Sequence, residues 1–213
     1  MTMDLIRGVR FAIATMLLFG GGYPLAIWGL AQTAFAHQAQ GSLVTRADGS
    51  VIGSTLIAQR FGGDAYVHPR PSGVDYDAAS TGGTNFGPTN PEHLKSVRER
   101  VAAVRTREAV SHGDIPADLV TASGAGLDPH LSPAAVDTQV ARVARVRGAT
   151  VEAVRQVVAA HTEAPTLGVL GRPRVNVLQL NLALDAAFPR GATGRGPRSE
   201  NGPHPSVGDP SHD

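Results

Sequence analysis

From Phe11 to Ala36 the chain carries no charged side chain: FAIATMLLFGGGYPLAIWGLAQTAFA. A hydrocarbon layer about 30 Å thick is crossed by about 20 apolar residues in a helix, so this stretch is expected to span a bilayer once. Asp4, Arg7, Arg10 and the α-amino group stand before it, a net of +2. Of the chain's 19 basic and 18 acidic side chains, 17 of each then follow, a net of zero. Positive flanks stay on the cytoplasmic side. The reading is therefore a cytoplasmic N-terminus at 1–10, a transmembrane helix at 11–36, a soluble extracytoplasmic domain at 37–189 and a tail at 190–213.

A cleavable signal competes with a retained anchor, because Ala34-Phe35-Ala36 offers small residues of the kind such a site needs. Signal apolar regions run about 7–15 residues; this one is longer, and retention is expected. Gly20-Gly21-Gly22-Tyr23-Pro24 breaks the apolar run, and such positions are tolerated in a membrane where a neighbouring helix packs closely. A membrane partner is expected on that ground. The balanced remainder argues against nucleic acid as a partner. With no cysteine, disulfide scaffolds, thiolate zinc sites, iron–sulfur clusters and a catalytic Cys are excluded.

Beyond the span the pattern is α+β. Gly41 to Asp64 alternates small, polar and apolar residues, which predicts short strands and turns. Tyr66 to Pro88 is crowded with Gly and Pro and must be loop. Asn90-Pro91-Glu92 opens a helix, and Leu94, Val97, Val101 and Val104 form its apolar face up to Arg107. Ile115 to Thr121 reads as a loop entering a short strand. Ser132-Pro133 opens a second helix, with Val136, Val140, Val143 and Ala144 inward, closed by Gly148. Thr150 caps a third, carrying Val151, Val154, Val157 and Val158. Val175 to Asp185 alternates like a strand at first, yet its Leu spacing and Ala-rich finish predict a helix. Arg190 to Asp213 is Gly- and Pro-rich with almost no apolar content, so disorder is expected.

The standard catalytic templates are absent. There is no G-x-x-x-x-G-K-[ST], and Lys95, the only lysine, follows no glycine-rich loop. H-E-x-x-H and G-x-S-x-G are missing too. His68, His130, Asp75, Asp77 and Asp128 fit no metal-ligand spacing, and hydrogen bonding within loops is the simpler role for them. No metal and no catalytic residue is assigned. The sharpest enzymatic alternative is a secreted or anchored serine hydrolase using Ser123 with His130 and a carboxylate. Thr81-Gly82-Gly83-Thr84-Asn85 offers consecutive backbone N–H groups and hydroxyls, which suit either an anion-binding nest or plain tight turns.

Six phrases in order give the chain a family likeness. They are Gly53-Ser54-x-Leu56-Ile57-x-Gln59-x-Phe61, Tyr66-Val67-His68-Pro69-Arg70-Pro71-Ser72, and Gly82-Gly83-Thr84-Asn85-Phe86-Gly87-Pro88. Then come Val120-Thr121-Ala122-Ser123-Gly124-Ala125-Gly126-Leu127-Asp128-Pro129-His130, Gln139-x-x-Arg142-Val143-Ala144-x-x-Arg147, and Arg174-Val175-Asn176-Val177-Leu178-x-Leu180-Asn181. With the N-terminal anchor, they make a chain that resembles the C subunit of the bacterial Kdp potassium-transporting P-type ATPase, from the anchor to about Asp185.

The resemblance implies a non-catalytic subunit in the bacterial inner membrane. Its partners would be a potassium-binding, channel-like subunit and an ATP-hydrolysing P-type subunit, with lipid around residues 11–36. It implies a catalytic chaperone that raises the hydrolysing subunit's affinity for ATP, so ATP is the one cofactor suggested, and none is expected to be bound firmly. In that family serines flank the paired glycines; Thr81 and Thr84 keep the hydroxyls here, while Ala125 replaces an expected serine. Arg70, Thr81, Gly82, Gly83, Thr84, Asn85, Ser123 and Asp128 are the candidate partner or ligand contacts. The charge asymmetry sets them on the side opposite to cytoplasmic ATP, so an effect on ATP would travel through the complex.

Overall fold

The structure, a computed structural model, describes residues 2–111, 113 and 115–189. The expected disordered tail at 190–213 lies outside them. The chain divides into two units, Met1–Leu43 and Val44–Asp213.

The first unit holds one continuous helical run, Thr2–Ala34, long and apolar enough to cross a membrane and without a buried residue. It comprises α1 (Thr2–Leu17), a π-helical turn (Leu18–Gly22) and α2 (Tyr23–Ala34). The helix therefore begins before Phe11 and ends two residues before Ala36, where Phe35 leaves helical geometry at φ −135°. The Gly-Gly-Gly-Tyr-Pro segment does not break it. Tyr23 N–H reaches Leu18 O, five residues back, which widens one turn and carries the chain past Pro24 without ending the helix. Thr15 and Thr33 donate their hydroxyls to Phe11 O and Gly29 O, each at 2.9 Å, so both polar groups are satisfied inside the helix. A short α3 (Ala36–Ala39) follows.

The second unit is α+β. Strands β1 (Leu43–Thr45) and β2 (Val51–Ser54) make a two-stranded sheet. Residues 55–90 contain turns and bends only: the short strands expected over 41–64 stop at Ser54, and from Tyr66 to Pro88 the density of Gly and Pro demands loop. α4 (Pro91–Glu108) starts where expected: Asn90 accepts from Glu92 N and His93 N. Val97, Val101 and Val104 pack on the core, while Leu94 stays 41% exposed.

Residues 117–119 are a 3₁₀ turn, not the expected strand. Pro116 enters it extended at ψ 133°, Thr121 N–H folds back to Ala117 O, and the Asp118 carboxylate accepts Ser132 N–H at 2.7 Å. α5 (Pro133–Arg147) is capped by the Ser132 hydroxyl and closed by Gly148 at φ +65°. α6 (Val151–Ala160) is capped by Thr150.

Three short strands went unread in the sequence: β3 (His130–Leu131), β4 (Thr162–Glu163) and β5 (Arg174–Asn176), in the order β3-β5-β4, all antiparallel. Leu131 and Thr162 flank Val175 from either side. β5 runs directly into α7 (Val177–Ala187), whose cap is the Asn176 side chain. The expected helix over 175–185 is thus strand at its first two residues, which explains the mixed pattern there. The core gathers Val136, Val140 and Val143 of α5, Val154 of α6, Val175, and Leu178, Leu180 and Leu184 of α7, with Val67, Tyr66 and Leu131.

Candidate functional site

The segment Asp64–Arg70 runs through the core without strand partners. A buried backbone must still satisfy its N–H and C=O groups, and here side chains do so. Asn181 of α7 accepts Val67 N–H at 2.8 Å and donates to Val67 O at 2.9 Å. Gln139 of α5 does the same for His68, at 2.9 and 3.1 Å. The Arg142 guanidinium, 2% exposed, donates to Asp64 O and Tyr66 O, and Arg147 Nε donates to Ala65 O at 2.7 Å. Arg142 Nε also meets both oxygens of the buried Glu108 at 3.0 Å. Arg147 lies 3.0 Å from Asp185 and stacks over the Tyr66 ring. Gln139, Arg142, Arg147 and Asn181 are thus struts for Tyr66-Val67-His68. His68 Nε2 lies 3.1 Å from Gly63 O; burial first, then the charges of Arg142 and Arg107, hold its pKa down to about 4.

This clamp delivers Arg70 to the loop 121–130. Arg70 Nη1 is 3.0 Å from Asp128 Oδ2, and Nη2 faces Thr121 O at 3.4 Å and Ala122 O at 3.5 Å. Tyr76 donates its hydroxyl to Arg70 O at 2.7 Å, fixing the backbone. The other oxygen of Asp128 accepts His130 N–H at 3.0 Å, with His130 Nδ1 at 3.5 Å. The His130 side chain is the largest influence on Asp128, and with Arg70 it holds that carboxyl down to about 2. Asp128 is therefore ionised at neutral pH and paired.

The glycine loops meet edge to edge. Gly82 N–H donates to Ala125 O at 3.2 Å, and a Cβ on Gly83 would lie 2.8 Å from Gly124 O. Gly126 sits at φ +70°, where a side chain would meet Val74 at 2.8 Å. Only glycine allows this approach. Across the seam an open cleft of about 530 Å³ is lined by Leu56, Ile57, Arg70, Thr81, Ser123 and Asp128, among others.

Of the residues singled out by sequence, Arg70, Thr81, Ser123 and Asp128 share this cleft, and Gly82 and Gly83 meet its lining residues Ala125 and Gly124. Thr84 and Asn85 lie outside it, both exposed, with Asn85 left-handed at φ +53°. The apolar lining from Leu56, Ile57 and Leu127 was missed, although Leu56-Ile57 lay within one of the six phrases. Ser123 Oγ accepts Asp128 N–H at 3.3 Å, while the His130 ring faces Asp128. A serine hydrolase needs nucleophile and base in mutual reach, and this arrangement does not supply that contact. Asp75 pairs with Arg60, and Asp77 caps Ala79 N–H. Among the described residues no three His, Asp or Glu side chains gather as a metal site. What the cleft offers is a polar wall of one fixed ion pair and two hydroxyls beside an apolar floor, a surface suited to recognition.

Residues 5–186 match the family described as "KdpC: K+-transporting ATPase, c chain". A Geobacter sulfurreducens protein named "Potassium-transporting ATPase KdpC subunit" is 50% identical over 189 residues, covering 87% of this chain and 99% of the relative. Proteins of the same name from Rhodospirillum rubrum and Sorangium cellulosum are 52% and 53% identical, covering 85% and 86% of this chain and 94% and 100% of theirs. With its clamped Tyr66–Arg70 segment and glycine-seamed loops set in a match of this extent, the chain belongs to the KdpC family of K+-transporting ATPase c chains.

Proposed function

We propose that the chain is a non-hydrolysing, membrane-anchored subunit of a potassium-importing ATPase, which assembles or stabilises the complex and raises the ATP affinity of its P-type subunit. The observation that carries this is the Arg70–Asp128 pair: two loops without regular structure are locked by side chains into one open cleft that holds no catalytic constellation. Order maintained at such a surface serves a partner. The names of the relatives supply the transported ion and the ATPase. The charge asymmetry around residues 11–36 supports an extracytoplasmic domain in the inner membrane, so the effect on ATP acts by favouring one conformation of the partner.

Replacing Arg70 or Asp128 by Ala should reduce recovery of the complex and raise the KM for ATP at least about fivefold, the lower end of ordinary allosteric coupling, with kcat preserved. Normal assembly and unchanged KM in both variants would remove the cleft from this role. The topology has its own test. An introduced cysteine at Ser123 in intact cells should react with a membrane-impermeant thiol reagent, and protection until lysis would place the domain inside.

A further inference from the structure

Strands β4 and β5 are joined by residues 164–173, which close on themselves: Thr166 and Leu170 exchange both backbone hydrogen bonds at 2.9 Å. The tip between them is Leu167-Gly168-Val169. Leu167 is 87% exposed, Val169 80% and Leu170 59%, so three large apolar side chains stand in water on one narrow turn. Leu167 also occupies the left-handed region at φ +55°, a conformation that costs a leucine about 1–2 kcal/mol and suits Gly or Asn. Neither local backbone preference nor packing among the described residues accounts for leucine there.

Below the tip the chemistry changes. Arg172 is exposed and has no ion-pair partner among the described residues; Arg174 pairs with Glu163 at 2.9 Å at the hairpin's base. One acid against two arginines leaves the hairpin at a net charge of +1. An apolar tip above a basic neck follows the order of layers met on entering a membrane, acyl chains beneath anionic headgroups. The tip is too small for a stable protein interface, which takes about 800 Å² from each partner. The same chain carries a helix of membrane-crossing length, which keeps lipid at high effective concentration.

We propose that the 164–173 hairpin is a second membrane contact, inserting Leu167, Val169 and Leu170 into the interfacial region of an anionic bilayer with Arg172 at the headgroups.

The chain has no cysteine, so a single Val169→Cys carrying an environment-sensitive fluorophore reports on the tip without background. The full chain is reconstituted into phosphatidylcholine vesicles with and without phosphatidylglycerol, in which some acyl chains are brominated. Flotation with the vesicles scores the helical anchor independently. The probe at residue 169 should be quenched by the brominated chains, and one at Val146→Cys, an exposed position near the end of α5, should not. Leu167→Asp with Leu170→Asp, which keeps a residue tolerant of φ > 0 at 167, should bring quenching at 169 down to the control level. Arg172→Gln should lower the inserted-to-free ratio about fivefold in anionic vesicles, the worth of one basic residue at such a surface, and leave it unchanged in neutral ones. Equal quenching at 169 and 146 overturns the proposal. So does a probe shielded without lipid quenching, whether on addition of the ATPase partners or with rising chain density, since the tip would then be covered by protein.

Discussion

At the scale of single residues, the centre of the domain is the buried pair Arg142–Glu108, with side chains 2% and 3% exposed. A guanidinium and a carboxylate lose several kcal/mol each on leaving water, and breaking such a pair from one side costs about 3–5 kcal/mol. Arg142 does more than neutralise Glu108, because its remaining N–H groups close the carbonyls of Asp64 and Tyr66 and reach Gln139. Both Arg142→Gln and Glu108→Gln break the pair from one side and are expected to destabilise the detergent-solubilised chain by about 3–5 kcal/mol in urea unfolding, Arg142→Gln at the upper end because it also loses the backbone contacts. Equal costs for the two would mean that Arg142 acts through charge alone. In the sequence Arg142 stood out only as part of one of the six phrases, and Glu108 not at all. Arg142 occupies a helix position flanked by apolar neighbours, and nothing in a 3.6-residue period tells a buried arginine from a solvated one. Its 2% exposure depends on a segment about 76 residues away.

At the scale of elements, caps and breakers were legible and short strands were not. Ser132-Pro133, Thr150 and Asn90-Pro91 each announce a helix by local chemistry, and each side chain makes the expected capping bond. Two- and three-residue strands carry no period to detect. β3 and β4 exist because β5 lies between them. The glycine loops belong to this scale as well. Alanine at Gly83 would press on Gly124 O, and at Gly126 it would meet both Val74 and a positive φ, whereas Gly87 faces open space. Gly83→Ala and Gly126→Ala should each cost about 1–3 kcal/mol, and Gly87→Ala should stay within about 0.5 kcal/mol, by chemical denaturation. A uniform response across the three would show that the loops do not meet in solution.

At the scale of the whole molecule, acid should destabilise the domain over two pH windows. His68, lowered from 6.5 to about 4, stays neutral when folded while the unfolded chain takes up a proton. Its contribution is complete above pH 6.5 and is lost as pH falls to 4, at most about 3 kcal/mol. Asp128, lowered from 3.8 to about 2, contributes above pH 3.8 and loses that contribution towards pH 2. A pH series of urea midpoints should show both slopes, and His68→Gln should flatten only the upper one. Loss of the lower slope in that variant would contradict the assignment. The sequence by itself determined the membrane-length helix, the starts of α4, α5 and α6, the loop character of 66–88 and the family, because these rest on local composition, capping and ordered motifs. It did not show that the Gly-Gly-Gly-Tyr-Pro segment continues as a π turn, since that choice lies in which carbonyl Tyr23 N–H reaches. Tertiary structure alone decided that Arg70 and Asp128, 58 residues apart, share a cleft, and that Leu167 and Val169 find no cover among the described residues. Both depend on which distant surfaces meet, and contacts between distant segments leave no period in the chain that makes them.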